Sequence, residues 1–158
     1  SLMAGILGIV IIIIFMTVLY GRLGVIASVA LVLYTLFVLA IFKLSSLTPY
    51  GITLTLSGIA GFILSIGMAV DANILIFERM KEEKRQGRSN LDSLNLGFLR
   101  AWSSIRDSNV ASLITSLVLY QFGTGAVRGF ALTLAIGVLV SMFSAIVVTK
   151  TFLRMIYR

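Results

Sequence analysis

The chain of 158 residues carries a formal net charge of +7, and 59% of its residues are hydrophobic while only 12% are charged. A soluble domain has about 25% charged residues, so this composition excludes a soluble globular protein. The chain contains no cysteine and no histidine, which excludes disulfide bonds, the usual zinc sites and any nucleophile–imidazole pair. It also has no phosphate-binding glycine loop, and we expect neither a cofactor nor a metal. The composition indicates a membrane protein.

Five apolar stretches predict five transmembrane helices, because about 20 mostly apolar residues are needed to cross a bilayer. In chain order they cover about residues 2–20, 25–42, 52–77, 108–122 and 129–149. Turns separate them, and the loop before the third stretch holds the only proline, Pro49. The predicted fold is therefore all-α, with one polytopic transmembrane domain over residues 1–158 and a polar segment at residues 78–107.

The basic residues predict the orientation in the membrane. Eleven of the thirteen lie in the turn at Arg22, in residues 78–107 or in the C-terminal tail, whereas only Lys43 and Arg128 lie on the other side. Cytoplasmic loops are enriched in Lys and Arg, so we expect a cytoplasmic C-terminus and a periplasmic N-terminus. An outer N-terminus without a basic signal segment also predicts further sequence upstream. The same bias explains the high net charge, and nucleic-acid binding is not expected.

The polar segment is predicted to contain an amphipathic helix. Ser89 and Asp92 have the spacing of a capping box. After them, apolar residues recur at intervals of three and four, as on one face of a helix. This stripe consists of Leu91, Leu94, Phe98, Trp102 and Ile105. We expect the helix to lie along the cytoplasmic surface of the membrane; packing of the stripe on a partner protein is the alternative.

Asp71 is the one carboxyl group inside a predicted span, with apolar residues on both sides. Ionisable groups within spans are costly, usually line a bundle interior or a wet cavity, and mark ion or proton pathways. In a continuous helix Asp71 lies about 10 Å from Glu78, where the charged segment begins. Because a carboxyl group changes its proton affinity when its hydration changes, Asp71 is a candidate proton-coupling residue. The alternative is a place at the membrane interface.

A polar stripe in the fourth stretch is a candidate hydrated route beside Asp71. It comprises Ser108, Asn109, Ser112, Thr115 and Ser116, with Asn73 of the third stretch as a further candidate. Small hydroxyl residues also allow close helix packing in lipid, so a purely structural role stays open.

Small residues recur every four positions in two stretches and predict close-packing faces. These ridges are residues 57, 61, 65, 69 and 73 in the third stretch, and residues 129, 133, 137, 141 and 145 in the fifth.

The run from Gly67 to Arg79 (GMAVDANILIFER) resembles the signature of the SecD family of bacterial protein-export membrane proteins. Three later segments resemble the same family in the same order: Gly97-Phe98, Asp107-Ser108-Asn109, and residues 123–134. The resemblance covers essentially the whole chain.

The resemblance implies membership of the resistance–nodulation–division superfamily, whose members have six helices in each of two related halves. The chain would then hold the last five helices of one half, SecF would supply the other half, and a large periplasmic region would lie upstream. The resemblance further implies a subunit of the bacterial inner membrane that is not an enzyme. It would use the proton-motive force, through Asp71, to assist the Sec translocon in moving a translocating polypeptide.

Two other functions stay open from the sequence. One is half of a proton-coupled exporter of lipids or small hydrophobic compounds, and the other is a structural subunit of a translocation complex that moves no protons. Drug-exporting relatives have two adjacent aspartates at this place in the helix, whereas Ala72 follows Asp71 here. This departure argues against an efflux pump.

Overall fold

The computed structural model describes residues 2–47 and 55–157, and all the regular structure in these ranges is helical. The helices are α1 (Leu2–Tyr20), α2 (Arg22–Ser45), α3 (Leu56–Arg85), α4 (Asn90–Phe122), α5 (Gly125–Phe143) and α6 (Lys150–Ile156), with a π-helix at Ser144–Thr149 between the last two. The loop at Pro49 and the first residues of the predicted third span, 52–54, lie outside the described residues.

The predicted all-α membrane fold is confirmed in its coarse form. Four of the described helices are long and apolar enough to cross a membrane: α1, α2, α3 and the continuous helix Gly125–Ile156. The predicted fourth span, residues 108–122, is the C-terminal part of α4 and is not among them. Its length of about 22 Å is shorter than the hydrocarbon core of about 30 Å, and the preceding half of α4 is polar.

The first two helices form a tight antiparallel pair. Gly21 joins them with φ of 55°, a left-handed conformation that glycine adopts without steric cost. At Gly24 the backbone of α2 lies against the backbone of Met16, where no side chain fits. The start of α2 therefore packs directly against the end of α1.

The two ridges of small residues meet in the contact between α3 and α5, which confirms the predicted close-packing faces. A Cβ atom added to Gly61 would lie 2.6 Å from the carbonyl oxygen of Phe130. Thr133 Oγ1 donates a hydrogen bond to the Gly58 carbonyl at 2.9 Å. Small residues allow backbones to approach this closely, and Thr133 then reaches a carbonyl acceptor on the facing helix.

A buried tyrosine ties a third helix to this contact. Tyr34 of α2 is 1% exposed, and its hydroxyl donates to Ser65 Oγ at 2.7 Å. The same oxygen lies 3.2 Å from the carbonyl oxygen of Gly137, to which it also donates. The tyrosine therefore links α2, α3 and α5 through polar groups that lipid could not satisfy.

The polar segment is a helical hairpin made by the end of α3 and the start of α4. The N-cap half of the predicted capping box is confirmed, because Ser89 Oγ accepts from the Asp92 backbone N–H at 3.1 Å. The Asp92 carboxylate accepts from the Ser89 hydroxyl group. The helices cross where Gly97 lies against the Met80 backbone, with only 2.7 Å between the Met80 nitrogen and a Cβ added at Gly97. Residues 78–107 are thus continuous with the helices before and after them.

Ion pairs hold this hairpin together. Glu83 is 4% exposed and pairs with Arg88, at 2.8 Å, and with Arg100. Two hydrogen bonds from Arg79 hold the pKa of the Glu82 carboxyl below its ordinary value. The arginines lie on α3, on the turn and on α4, so the cluster fixes the angle between the helices.

The apolar stripe on α4 packs inside the chain, and the expected place on the membrane surface is not confirmed. Leu94, Phe98 and Ile105 are at most 5% exposed, whereas Leu91 is 44% exposed. The ammonium group of Lys150 lies 4.4 Å from the centre of the Phe98 ring. The predicted helical periodicity is confirmed. The stripe is buried because α4 packs against α3 and α6, which cover most of it.

The closeness of α3 and α5 predicts that Gly61→Ala destabilises the protein. The added methyl group would lie 2.5 Å from Thr133 Oγ1, so the helices must separate, at a cost of about 1–3 kcal/mol. Gly67→Ala, on the same helix with nothing within 4 Å of the new Cβ, is the matched control. Unfolding in detergent, followed by the fluorescence of Trp102, should show a lower midpoint for Gly61→Ala alone. Equal midpoints for the two variants would contradict the tight contact.

Candidate functional site

Asp71 lies on the surface of α3 at the edge of a cavity between α3 and α4. The cavity has a volume of about 100 Å³. Its wall consists of Met68, Asp71, Ala72 and Leu75 from α3, and Ser104, Ile105, Ser108 and Asn109 from α4.

The direction of Asp71 follows from the ridge on its own helix. Ala69 and Asn73, two residues to either side, belong to the ridge of small residues and are buried. Two residues correspond to about 200° around an α-helix, so Asp71 points away from the face that carries the ridge. It is exposed, next to the polar side of α4.

Asp71 differs from every other acidic residue of the chain in having no partner among the described residues. All six acidic residues lie in the described ranges, and five of them are bound by a base or a hydroxyl group. Glu78 pairs with Lys81, Glu82 with Arg79, Glu83 with Arg88, Asp92 with Ser89, and Asp107 with Arg106. The Asp71 carboxyl group makes no hydrogen bond or ion pair with any residue that the structure describes.

The predicted polar stripe divides into two parts. Ser108 and Asn109 line the cavity beside Asp71, and their part in a hydrated route stays a prediction. The hydroxyl groups of Ser112, Thr115 and Ser116 instead donate to carbonyl oxygens four residues earlier in α4, at 2.9–3.1 Å. This local bonding satisfies a hydroxyl group in lipid and favours the structural interpretation for these three residues.

Asn73 is separate from the Asp71 cavity. It is 5% exposed, and its Oδ1 accepts a hydrogen bond of 2.9 Å from Thr149, which is fully buried. Thr149 is the last residue of the π-helix, four positions beyond the last member of the predicted ridge, residue 145. Asn73 therefore continues the ridge contact and joins α3 to the π-helix.

Sequence reasoning missed two residues of this region, Ser104 and Thr149. Ser104 lies four residues before Ser108, and its place on the same face of α4 was readable from the spacing. Thr149 follows the four-residue spacing of the ridge, but the pairing with Asn73 depends on the packing of two distant segments. The described residues contain no group of His, Cys, Asp or Glu side chains that could hold a metal.

The Asn73–Thr149 hydrogen bond predicts that Thr149→Val destabilises the protein by about 1–3 kcal/mol, because a buried amide oxygen loses its donor while the side-chain shape is kept. Thr151→Val, an exposed position of α6, is the control. Thermal unfolding in detergent should show a lower midpoint for Thr149→Val. A midpoint equal to that of Thr151→Val would show that the bond contributes nothing.

Comparison with known proteins matches the whole chain to one protein family. Residues 1–158 match the family model "Protein export membrane protein SecD/SecF, C-terminal". The chain is 54% identical to the protein translocase subunit SecD of Synechocystis sp., over 99% of this chain and 32% of the relative. It is 51% identical to that of Thermobaculum terrenum, over 99% of this chain and 30% of the relative. The chain thus spans about a third of the length of these relatives.

Two solved structures share this arrangement of helices. A crystal structure of SecDF from Thermus thermophilus, described as a translocon-associated membrane protein, superposes with a TM-score of 0.91 at 39% identity, over 98% of this chain and 21% of that one. A second SecDF crystal structure, in a super-membrane-facing form, gives a TM-score of 0.82 at 42% identity, over 97% of this chain and 20% of that one.

Proposed function

Because the chain belongs to the SecD/SecF C-terminal family of protein export membrane proteins, we propose that it is the membrane part of a SecD subunit that uses the proton-motive force to assist Sec-dependent export. The observation that carries the proposal is Asp71, the acidic residue without a partner in the described structure, at a cavity between two helices. The subunit acts by changing conformation with the translocon and its polypeptide, and it is not an enzyme.

The proton-motive force provides enough energy for such a cycle. Moving one elementary charge across the membrane potential is worth about 2.3 kcal/mol per 100 mV. To use this energy, a group must bind a proton from the outer side and release it to the inner side. A carboxyl group does so when water reaches it from one side and then from the other, since hydration favours its charged form. Asp71 has this role in the proposal, with Ser108 and Asn109 lining the water route.

A second membrane half is needed to close the cavity. Asp71 and Ser108 are exposed on this chain, and in lipid an exposed carboxylate is strongly disfavoured. We therefore place the five long helices in a six-helix half of the resistance–nodulation–division type, with a SecF half against the α3–α4 groove. In this arrangement α4 also crosses the membrane, with its polar stripe turned towards the partner.

The distribution of basic residues supports an orientation in the bacterial inner membrane. The hairpin of α3 and α4 is cytoplasmic, as is the C-terminus, and the turn between α4 and α5 is periplasmic. The hairpin lies on the cytoplasmic side of the bilayer, packed on the chain itself.

Cysteine labelling tests this orientation, and the chain is suited to it because it contains no cysteine. Thr124→Cys and Gln86→Cys both change exposed residues in turns at opposite ends of α4. In sealed right-side-out vesicles, a membrane-impermeant thiol reagent should label position 124 and should label position 86 only after the vesicles are opened. Labelling of position 86 in sealed vesicles would reverse the orientation.

The central prediction is that Asp71→Asn abolishes proton-dependent export while the protein still folds and assembles. Asparagine keeps the size and hydrogen bonding of the protonated acid but cannot release a proton. Asp107→Asn is the matched control, because Asp107 is 68% exposed and pairs with its neighbour Arg106. Secretion in cells and proton flux in liposomes with the paired protein should fall to background for Asp71→Asn and stay near wild type for Asp107→Asn. Normal flux and export in Asp71→Asn would favour a structural subunit that moves no protons.

A further inference from the structure

A second cavity lies at the start of α4, between the first turn of α4 and the end of α3. Its volume is about 30 Å³. The polar part of its wall comes from the end of α3, the first turn of α4 and the residue after α6: Lys81, Lys84, Asn90, Ser93 and Tyr157. None of these residues has a part in the proposed proton route.

Ser93 is the unusual member of this wall. It is 2% exposed, and its Oγ is the one buried side-chain nitrogen or oxygen of the described residues that has no hydrogen-bond partner. Other serines of α4, such as Ser112 and Ser116, donate to the carbonyl four residues earlier, whereas Ser93 does not. An unpaired buried hydroxyl group destabilises the folded protein, and a polar ligand in the cavity would supply the missing partner.

The surroundings of Ser93 favour an anion. Lys84 is exposed and has no ion pair in the described part of the chain, while Lys81 lies between Glu78, at 3.3 Å, and the ring of Tyr20, at 4.2 Å. Asn90 is the first residue of a helix of 33 residues, whose N-terminus carries free N–H groups and the positive end of the helix dipole. Asp92 of the same turn does not line the cavity, because its carboxylate is held by Ser89.

We propose that this cavity binds a phosphate group. One phosphate oxygen enters the cavity and accepts from Ser93 Oγ, and the remaining charge lies at the mouth with Lys84 and Asn90, which are both exposed. A volume of about 30 Å³ exceeds what one water needs, so it admits one oxygen but not a whole headgroup. The group comes either from an anionic phospholipid, as in basic pockets at the cytoplasmic side of membrane helices, or from a soluble phosphate.

The proposal does not depend on proton coupling and is tested by binding. The full-length protein paired with its second half is purified in dodecyl maltoside, which contains no phosphate. Phosphatidylglycerol is then titrated, and bound lipid is counted by native mass spectrometry. Lys84→Gln should weaken binding about fivefold, the factor expected for one lysine near an anionic group. Arg85→Gln is the matched control, since it removes the same charge from the neighbouring exposed residue outside the cavity.

Ser93→Ala provides a second test, in which the thermal midpoint is measured with and without lipid. Without lipid, removing an unpaired buried hydroxyl group should leave the thermal midpoint unchanged or raise it. With saturating phosphatidylglycerol, the stabilisation by lipid should be smaller in Ser93→Ala than in wild type. A parallel titration with inorganic phosphate identifies the source: a Lys84-dependent stabilisation by phosphate alone indicates a soluble ligand, and stabilisation by lipid alone indicates a headgroup. Equal lipid and phosphate binding in Lys84→Gln, Arg85→Gln and wild type would overturn the proposal.

Discussion

The close contact between α3 and α5 is the constraint on which the rest of the chain depends. Glycine at position 61 lets the α5 backbone approach α3, and Thr133 then reaches a backbone carbonyl across the contact. Tyr34 brings α2 to the same line of small residues through Ser65. Helices in lipid gain little from apolar burial against each other, so close packing and interhelical hydrogen bonds must hold the bundle together.

This contact also determines where the acidic residue can point. One face of α3 is occupied by α5 and, further along, by the bond between Asn73 and Thr149. Asp71 lies about 200° from that face and must open towards α4. The other carboxyl groups are bound in the hairpin, where Glu83 of α3 pairs with Arg88 of the turn and Arg100 of α4. The chain thus separates five paired acids from Asp71, which has no partner among the described residues.

Much of this architecture could be predicted from local pattern. The bounds of α1, the N-cap at Ser89 and the two ridges all follow from the local sequence of one helix, and the structure confirms them. The packing of residues 78–107 could not be predicted in this way. An amphipathic stripe shows which face of a helix is buried, but not whether lipid or protein covers that face. Asn73 is a predicted candidate for the water route, but it lies two residues from Asp71, and two residues along a helix lead to nearly opposite faces.

The most direct test of the account is the protonation of Asp71 itself in the assembled protein. Infrared difference spectroscopy on the paired protein in liposomes, with isotope-labelled aspartate, reports the carbonyl band of a protonated carboxyl group. The account predicts that a band appears when the outer side is acidified, disappears when the gradient is reversed, and is absent in Asp71→Asn. A band that ignores the gradient, or that persists in Asp71→Asn, would contradict it.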